Sequence, residues 1–421
     1  MSLRRRLEEL QREGKPIRVG LIGAGQMGRG FIAQVTCIPG MEVVACADMF
    51  PERAISALRE AGLAPTEGVG GLPGRPAVTD DAVMVARSEG IDVVVEATGV
   101  PEVGARVAYE AIQSSKHTVM LNAEADVTVG TILARMAKSA GVVYTGSAGD
   151  EPGAIMELFE FASTLGFEVV VAGKGKNNPL DVSATPDSVA EEAHSKRMNP
   201  HMLASFVDGT KTMVEMAALA NATGFVPDVP GMHGPEETDP NRLSDIFSLK
   251  EEGGLLSHYG VVDYVRGVAP GVFVVVRSQE GAVRETMHYV GRGEGPNHVL
   301  YRPYHLTSLE TPLSVARAAI YGEPTIVSLP EPSAEVVAIA KRDIPAGEKL
   351  CSIGGEDYYG RLYAAGEATS MLPIGLAAGA RTIRSIPRGQ AIPRTAVELA
   401  DDSFVVSLRR LQEATNIHSE Q

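Results

Sequence analysis

The sequence predicts an α/β fold: a doubly wound parallel sheet first, then a central α+β region, then a small C-terminal β region. Three observations predict it. Apolar runs of strand length alternate with helical segments through about residue 150, the pattern of consecutive βαβ units. The turn after the first apolar run reads G-x-G-x-x-G. Beyond Pro324 the chain becomes rich in β-branched residues, glycine and proline.

Taken in order, Met1–Leu10 is charged and amphipathic and lacks the apolar core and cleavage site of a secretory signal, so a short surface helix is expected. Ile17–Ile22 reads as a buried parallel strand. Gly23, Gly25 and Gly28, with Gln26 and Met27 between them, then open a helix. The first glycine permits the tight turn, the second lets a pyrophosphate approach the backbone, and the third lets helix and strand pack closely. The helix start offers free N–H groups to phosphate. The next run, Glu42–Ala47, ends at Asp48, 20 residues after Gly28, where a carboxylate can take a ribose hydroxyl. This predicts a dinucleotide site. Asp48 repels a 2′-phosphate and favours NAD(H), while Arg53 keeps NADP(H) open.

A helix from Pro51, a Gly/Pro-rich loop over Gly68–Pro76 and a short helix over Asp80–Ala86 follow. Val93–Ala97 is the next strand, broken at Thr98-Gly99. A helix over 102–114, a strand over Thr118–Asn122, another helix and a strand over Val142–Thr145 complete the first region, placed at 1–150. Ligands bind beyond the carboxyl ends of such strands. Thr98 and Gly99 are therefore candidates for the nicotinamide half of the cofactor, and Asn122 and Glu124 for cofactor or substrate. Asp150 and Glu151 stand after the last strand.

The pattern then changes to α+β, and a second region is placed at 151–324. Phe167–Gly173 reads as a strand leading into a polar turn that holds Lys174, Lys176, Asn177 and Asn178. Such a turn can bind an anion, and a lysine there can stabilise a developing oxyanion. A long helix is expected over 205–222, with Lys211 and Glu215 at i and i+4. A solvated pair and a lysine aimed at an anionic substrate are both open. Gly271–Val276 and Arg284–Val290 look like strands, and 309–321 like a helix that can return to the first domain. His233, Arg302 and His305 lie in loops, the last two suited to carboxylate or phosphate. A β domain is placed at 325–421, with an internal repeat: Arg342–Leu350 and Arg384–Ile392 both read R-x-I-P-x-G-x-x-L/I.

Composition narrows the class. The 421 residues carry a net charge of −15, which disfavours nucleic acid as a partner. No apolar run is long enough to predict a membrane span. Three isolated cysteines without metal spacing suit a reducing cytoplasm, and Cys37 and Cys46 read as packing residues. A homodimer or higher homo-oligomer is expected.

Several segments together resemble homoserine-dehydrogenase-like oxidoreductases with a C-terminal SAF domain, a group related to the 1-deoxy-D-xylulose 5-phosphate reductoisomerase-like enzymes. They are Gly23–Gly28, Asn122–Gly130, Gly149–Gly153, Gly173–Asn178, Asp208–Thr212, Tyr259–Gly267, Tyr301–Leu306 and Gly354–Gly360. The resemblance implies a Rossmann domain, a central catalytic and dimerisation domain, a β-clip tail and a nicotinamide cofactor. The expected reaction is hydride transfer to or from a small, polar, anionic carbonyl or hydroxyl substrate, such as a sugar phosphate. A lysine among 174, 176 and 211 polarises the oxygen. Acids at 124, 150 or 151 relay a proton or, in a reductoisomerase-like reaction, hold a divalent metal. Oxidation of an amino-acid alcohol and a non-catalytic nicotinamide sensor are the alternatives. The Gly-x-Asp-x-x-x-Lys signature of homoserine dehydrogenases is missing from the nearest stretch, Asn221–Gly234. The reductoisomerase itself uses NADPH, whereas Asp48 points to NAD(H).

Overall fold

The computed structural model describes residues 2–68, 74–196 and 198–417. They form two compact units: Met1–Asp150 with Leu306–Pro330 and Asp402–Gln421, and Glu151–His305 with Glu331–Asp401.

The first unit is built on β1 (Ile17–Ile22), β2 (Met41–Ala47), β3 (Thr66–Glu67), β4 (Ala77–Thr79), β5 (Val93–Glu96), β6 (His117–Met120) and β7 (Tyr144–Gly146). These seven strands form one sheet in the order β3-β4-β2-β1-β5-β6-β7, and each pairing is parallel. From β1 the chain passes to β2, then to the edge strand β3 and back to β4 between β3 and β2, before it crosses β1 and winds outward through β5, β6 and β7. The reversal lies between β1 and β5, where such sheets open a crevice at their carboxyl edge. The helices are α1 (Leu3–Arg12), α2 (Gln26–Val35), α3 (Pro51–Glu60), α4 (Ala82–Arg87), α5 (Pro101–Gln113) and α6 (Ala123–Ala140). On one face, Val19, Leu21, Val93 and Val95 pack with Phe31 and Ile32 of α2. On the other, Ile22, Val94, Val107 and Ala111 pack together. Burial on both faces explains why these strands are apolar throughout rather than alternating.

Two later helices complete this unit. Val315 and Ala316 of Thr311–Tyr321 join the core that holds Phe31. The hydroxyls of Ser147 and Thr311 meet at 2.8 Å. At the start of Phe404–Ile417, Glu102 accepts the N–H groups of Phe404 and Val405 at 2.8 and 3.0 Å. The carboxylate thus supplies the partner that first-turn N–H groups lack.

The second unit holds β8 (Glu168–Lys176), β9 (Val261–Arg266), β10 (Val272–Arg277) and β11 (Asn297–Arg302) in the order β11-β10-β8-β9. β8 and β9 are parallel, and the other pairs antiparallel. Its main helices are α7 (Glu151–Thr164), α8 (Ala190–Lys196), α9 (Pro200–Val207) and α10 (Thr210–Thr223). Both α7 and α10 pack on the sheet, and Phe247 stacks on Phe273 in its apolar core. The C-terminal segment adds the antiparallel pair β12 (Ala334–Ala340) and β13 (Tyr358–Ala364). The two repeat copies meet at equivalent residues: Ile344 and Ile386 exchange backbone hydrogen bonds, each of 2.9 Å. Residues 331–401 also hold α10 at both ends. Gly360 N–H donates to Thr210 Oγ1 at 2.8 Å, and Ala334 N–H to Asn221 Oδ1 at 2.9 Å.

The structure departs from the sequence reading at several points. The units are not the three consecutive segments 1–150, 151–324 and 325–421, because chain-distant elements return to each core. The expected strand over Arg284–Val290 is the helix Gly281–Tyr289, since Val283, Met287 and Val290 recur at helical spacing. The expected long helix over 205–222 is split into α9 and α10 by Gly209, whose φ is +88°. Cys37 is exposed, whereas Cys46 is buried. Residues 69–73 of the expected Gly/Pro-rich loop lie outside the described residues.

Candidate active site

The glycine turn forms a cradle at the carboxyl edge of β1. Gly23 has φ +95°, and a Cβ there would stand 2.8 Å from the Ala97 carbonyl oxygen. A Cβ on Gly28 would fall 2.0 Å from the Gly23 oxygen, so any larger residue pushes α2 off the turn. Among the described residues, nothing lies within 4 Å of a Cβ built on Gly25. No side chain among the described residues caps α2, whose first residues are Gln26 and Met27. Open space against uncapped N–H groups suits a pyrophosphate. Asp48 is held in place by the N–H of Ala24 at 2.8 Å and that of Phe50 at 2.9 Å. Arg53 lies over the Phe50 ring, 4.4 Å from its centroid. These residues fit a dinucleotide.

Further along the same edge, Thr98 and exposed Gly99 follow β5 as expected. Asn122 is spent on structure: its Oδ1 accepts the Ala125 N–H at 3.1 Å, and its Nδ2 donates to the Val100 carbonyl at 3.0 Å. Glu124 is buried in the first turn of α6. A residue the sequence reading passed over stands among them. Glu96 ends β5, fully buried. Burial pushes its carboxyl up to about 7, although hydrogen bonds from Thr98 N–H and Oγ1–H favour the charged form. Its other oxygen, Oε2, has no hydrogen-bond partner among the described residues. An acid closing a run of valines was the signal available in the sequence. Nearby, burial raises Asp126 to about 6 while Tyr144 donates to it at 2.8 Å.

In the second unit, Gly173–Lys176 is not a polar turn but the end of β8. Alternation explains the pattern. A Cβ on Gly173 would stand 2.2 Å from the Asp263 carbonyl oxygen, and one on Gly175 would stand 2.4 Å from Ala269 N. The glycines therefore face close backbone, and Lys174 and Lys176 share the opposite face. Both lysines are buried. The Lys174 ammonium bonds Glu151 at 2.5 Å, on the first turn of α7, and also Glu215 of α10. Burial works against its charge, but the two carboxylates outweigh burial and hold Lys174 above the usual lysine range. Lys176 donates to the Phe206 carbonyl at 2.7 Å. Burial and the charge of Lys174 bring it down to about 8, against the pull of Glu215 and Asp208.

Of the other expected residues, Lys211 and His305 approach the acids of this pair. Lys211 stands 3.9 Å from Glu215, which is buried, so the two are not a solvated surface pair. His305 lies 3.4 Å from Glu151. Arg302 pairs with Glu157 at 3.0 Å and lies over the Tyr304 ring. Asn178 is half-buried and Asn177 exposed, just past β8. Asp150 precedes α7 and closes the first unit. His233 is used in its own loop, with its ring 2.7 Å from Asp228 and its N–H on Asp263 at 3.0 Å. Chemically, Lys174 is a fixed cation whose proton is held by two acids. Lys176 can give and take a proton near neutral pH.

Residues 149–311 match the family described as oxidoreductase DRL, catalytic domain. No protein of curated function matches the chain. Among solved structures it is similar to a probable dehydrogenase from Thermotoga maritima, with 15% identity over 74% of this chain and 91% of that one and a TM-score of 0.43. It is also similar to a myo-inositol dehydrogenase from Lactobacillus casei in complex with NAD(H) and myo-inositol, with 17% identity over 69% and 75% and a TM-score of 0.38. Neither likeness speaks to substrate. No helix among the described residues is long and apolar enough to cross a membrane. Residues 149–311 thus match an oxidoreductase catalytic domain, and the open glycine turn of the first unit suits a dinucleotide.

Proposed function

We propose that the protein moves a hydride between a nicotinamide cofactor and the carbonyl or carbinol carbon of a small, polar, anionic substrate, with NAD(H) preferred to NADP(H). One observation carries the reading: β8 presents two buried lysines on one face, one with its proton locked and one able to exchange it. The bound cofactor supplies or takes up the hydride. In the direction of reduction, the carbonyl oxygen gains the electron pair of its π bond and takes a proton from the Lys176 ammonium. Lys174 remains charged throughout and stabilises the oxyanion as it forms. Lys211, Arg302 and His305 favour a carboxylate or phosphate on the substrate.

The finer reading is a sugar phosphate handled by a reductoisomerase-like reaction. A divalent cation on Glu151 and Glu215 belongs to that form, and there it competes with the Lys174 ammonium for the same carboxylates. The test is titration of the full chain with NADH and NADPH, followed by turnover on phosphorylated ketoses, 2-oxo acids and uncharged ketones, with EDTA or Mg²⁺. Turnover restricted to anionic substrates and lost in Lys176→Met supports the reading. Turnover of uncharged ketones alone, or an unaffected Lys176→Met, refutes it.

A further inference from the structure

We propose that Asp208 and Lys341 are a positioning pair for the lysine face, Lys341 being supplied by the C-terminal segment. The inference rests on the role given to Lys176 above. Lys341 directly follows β12, and its side chain is 2% exposed. Its ammonium donates to the Ala184 carbonyl at 2.6 Å and the Gly355 carbonyl at 2.8 Å, and it forms an ion pair with Asp208 Oδ2 at 2.7 Å.

The partner carboxylate is fully buried, and its other oxygen accepts the Thr210 N–H at 2.8 Å. That bond shapes the turn from α9 into α10. Lys211 and Glu215 are carried on the helix that starts there. The end of α9 is held as well, because Lys176 donates to the Phe206 carbonyl, two residues before Asp208. One lysine of β8 thus holds the end of α9, and one lysine after β12 holds the turn that follows it. The charged groups acting on Lys176 are Lys174 on its own strand, Glu215 on α10 and Asp208 on the turn, with Lys341 behind Asp208. A buried carboxylate without its partner is strongly disfavoured, so neither member of the pair is replaceable alone. A tail that only covered the unit would not need a fully buried cation at this point.

The experiment uses the full chain with ¹³C-labelled lysine side chains, following the titration of Lys176, whose signal is assigned by its loss in Lys176→Met. Asp208→Asn removes a carboxylate that favours charged Lys176 and leaves Lys341 uncompensated. The Lys176 midpoint is expected to fall by about 0.5 on the pH scale or more. Asp208→Asn/Lys341→Met removes both charges and gives a smaller fall, which keeps the measurement available if the single variant does not fold. Lys349→Met, at an exposed lysine of the same segment, leaves the midpoint in place. A midpoint unchanged in both the single and the double variant, or shifted equally by Lys349→Met, overturns the proposal. Failure of the role given to Lys176 shows separately, as full turnover in Lys176→Met.

Discussion

Replacing Glu96 by glutamine tests the burial of a carboxyl at the cofactor edge. The group sits at 4.5 in the ordinary chain and at about 7 in the fold, with burial as the main cause. The sign follows from proton binding. Between these values the folded protein keeps a proton that the unfolded chain has released, so stability falls as pH rises through the window. The contribution is fully present below 4.5 and is lost once the folded group ionises. Each tenfold difference in proton affinity between the folded and unfolded chains corresponds to about 1.4 kcal/mol. The full loss is therefore about 3 kcal/mol above pH 8, of which about 2.5 kcal/mol accrues between pH 5 and pH 8. Glutamine cannot ionise, and its amide oxygen can still accept from Thr98. The stability of Glu96→Gln relative to wild type therefore rises by about 2.5 kcal/mol from pH 5 to pH 8. Asp126, also raised, contributes equally to both proteins and cancels. Urea unfolding followed by far-ultraviolet circular dichroism at the two pH values measures the gap. A gap that stays constant within about 0.5 kcal/mol would show that Glu96 is not held as a buried acid.

Three further outcomes are expected. Asp48→Ser narrows the preference for NADH over NADPH in fluorescence titrations, because it removes repulsion of the 2′-phosphate; a wild type that binds NADPH tenfold better, about 1.4 kcal/mol, contradicts the role of Asp48. Lys174→Met takes away the ammonium that bonds both Glu151 and Glu215, so it lowers both thermal stability and turnover, whereas Lys176→Met lowers turnover with cofactor affinity kept; equal melting temperatures for Lys174→Met and wild type count against the buried network. Gly28→Ala places a methyl 2.0 Å from the Gly23 oxygen and weakens NADH binding at least tenfold, about 1.4 kcal/mol; unchanged binding shows that the cradle is not the cofactor site.

The sequence by itself determined the first unit's sheet and the glycine turn at its carboxyl edge. Each of those signals is local: a strand-length apolar run, three glycines at fixed spacing, an acid closing the next strand. It also picked out Lys174, Lys176, Lys211, Glu151 and His305, because clustered polar residues are visible in a linear chain. What they do there was not visible. Whether Gly173–Lys176 is a turn or a strand depends on which backbone faces the glycines, and that backbone comes from β9 and the residues before β10, about ninety positions on. Whether Glu215 is solvated depends on Lys174 reaching it from another element. Glu96 looked like an ordinary strand residue until β1 and β6 closed on either side of it. The C-terminal repeat predicted a separate module, yet Lys341 and Asp208 join it to the helix that carries Lys211. Periodicity and spacing encode what neighbours in sequence do to one another. Only the tertiary structure decided burial and ion pairing between distant segments, because charge states and partners there are set by what the fold brings together across space.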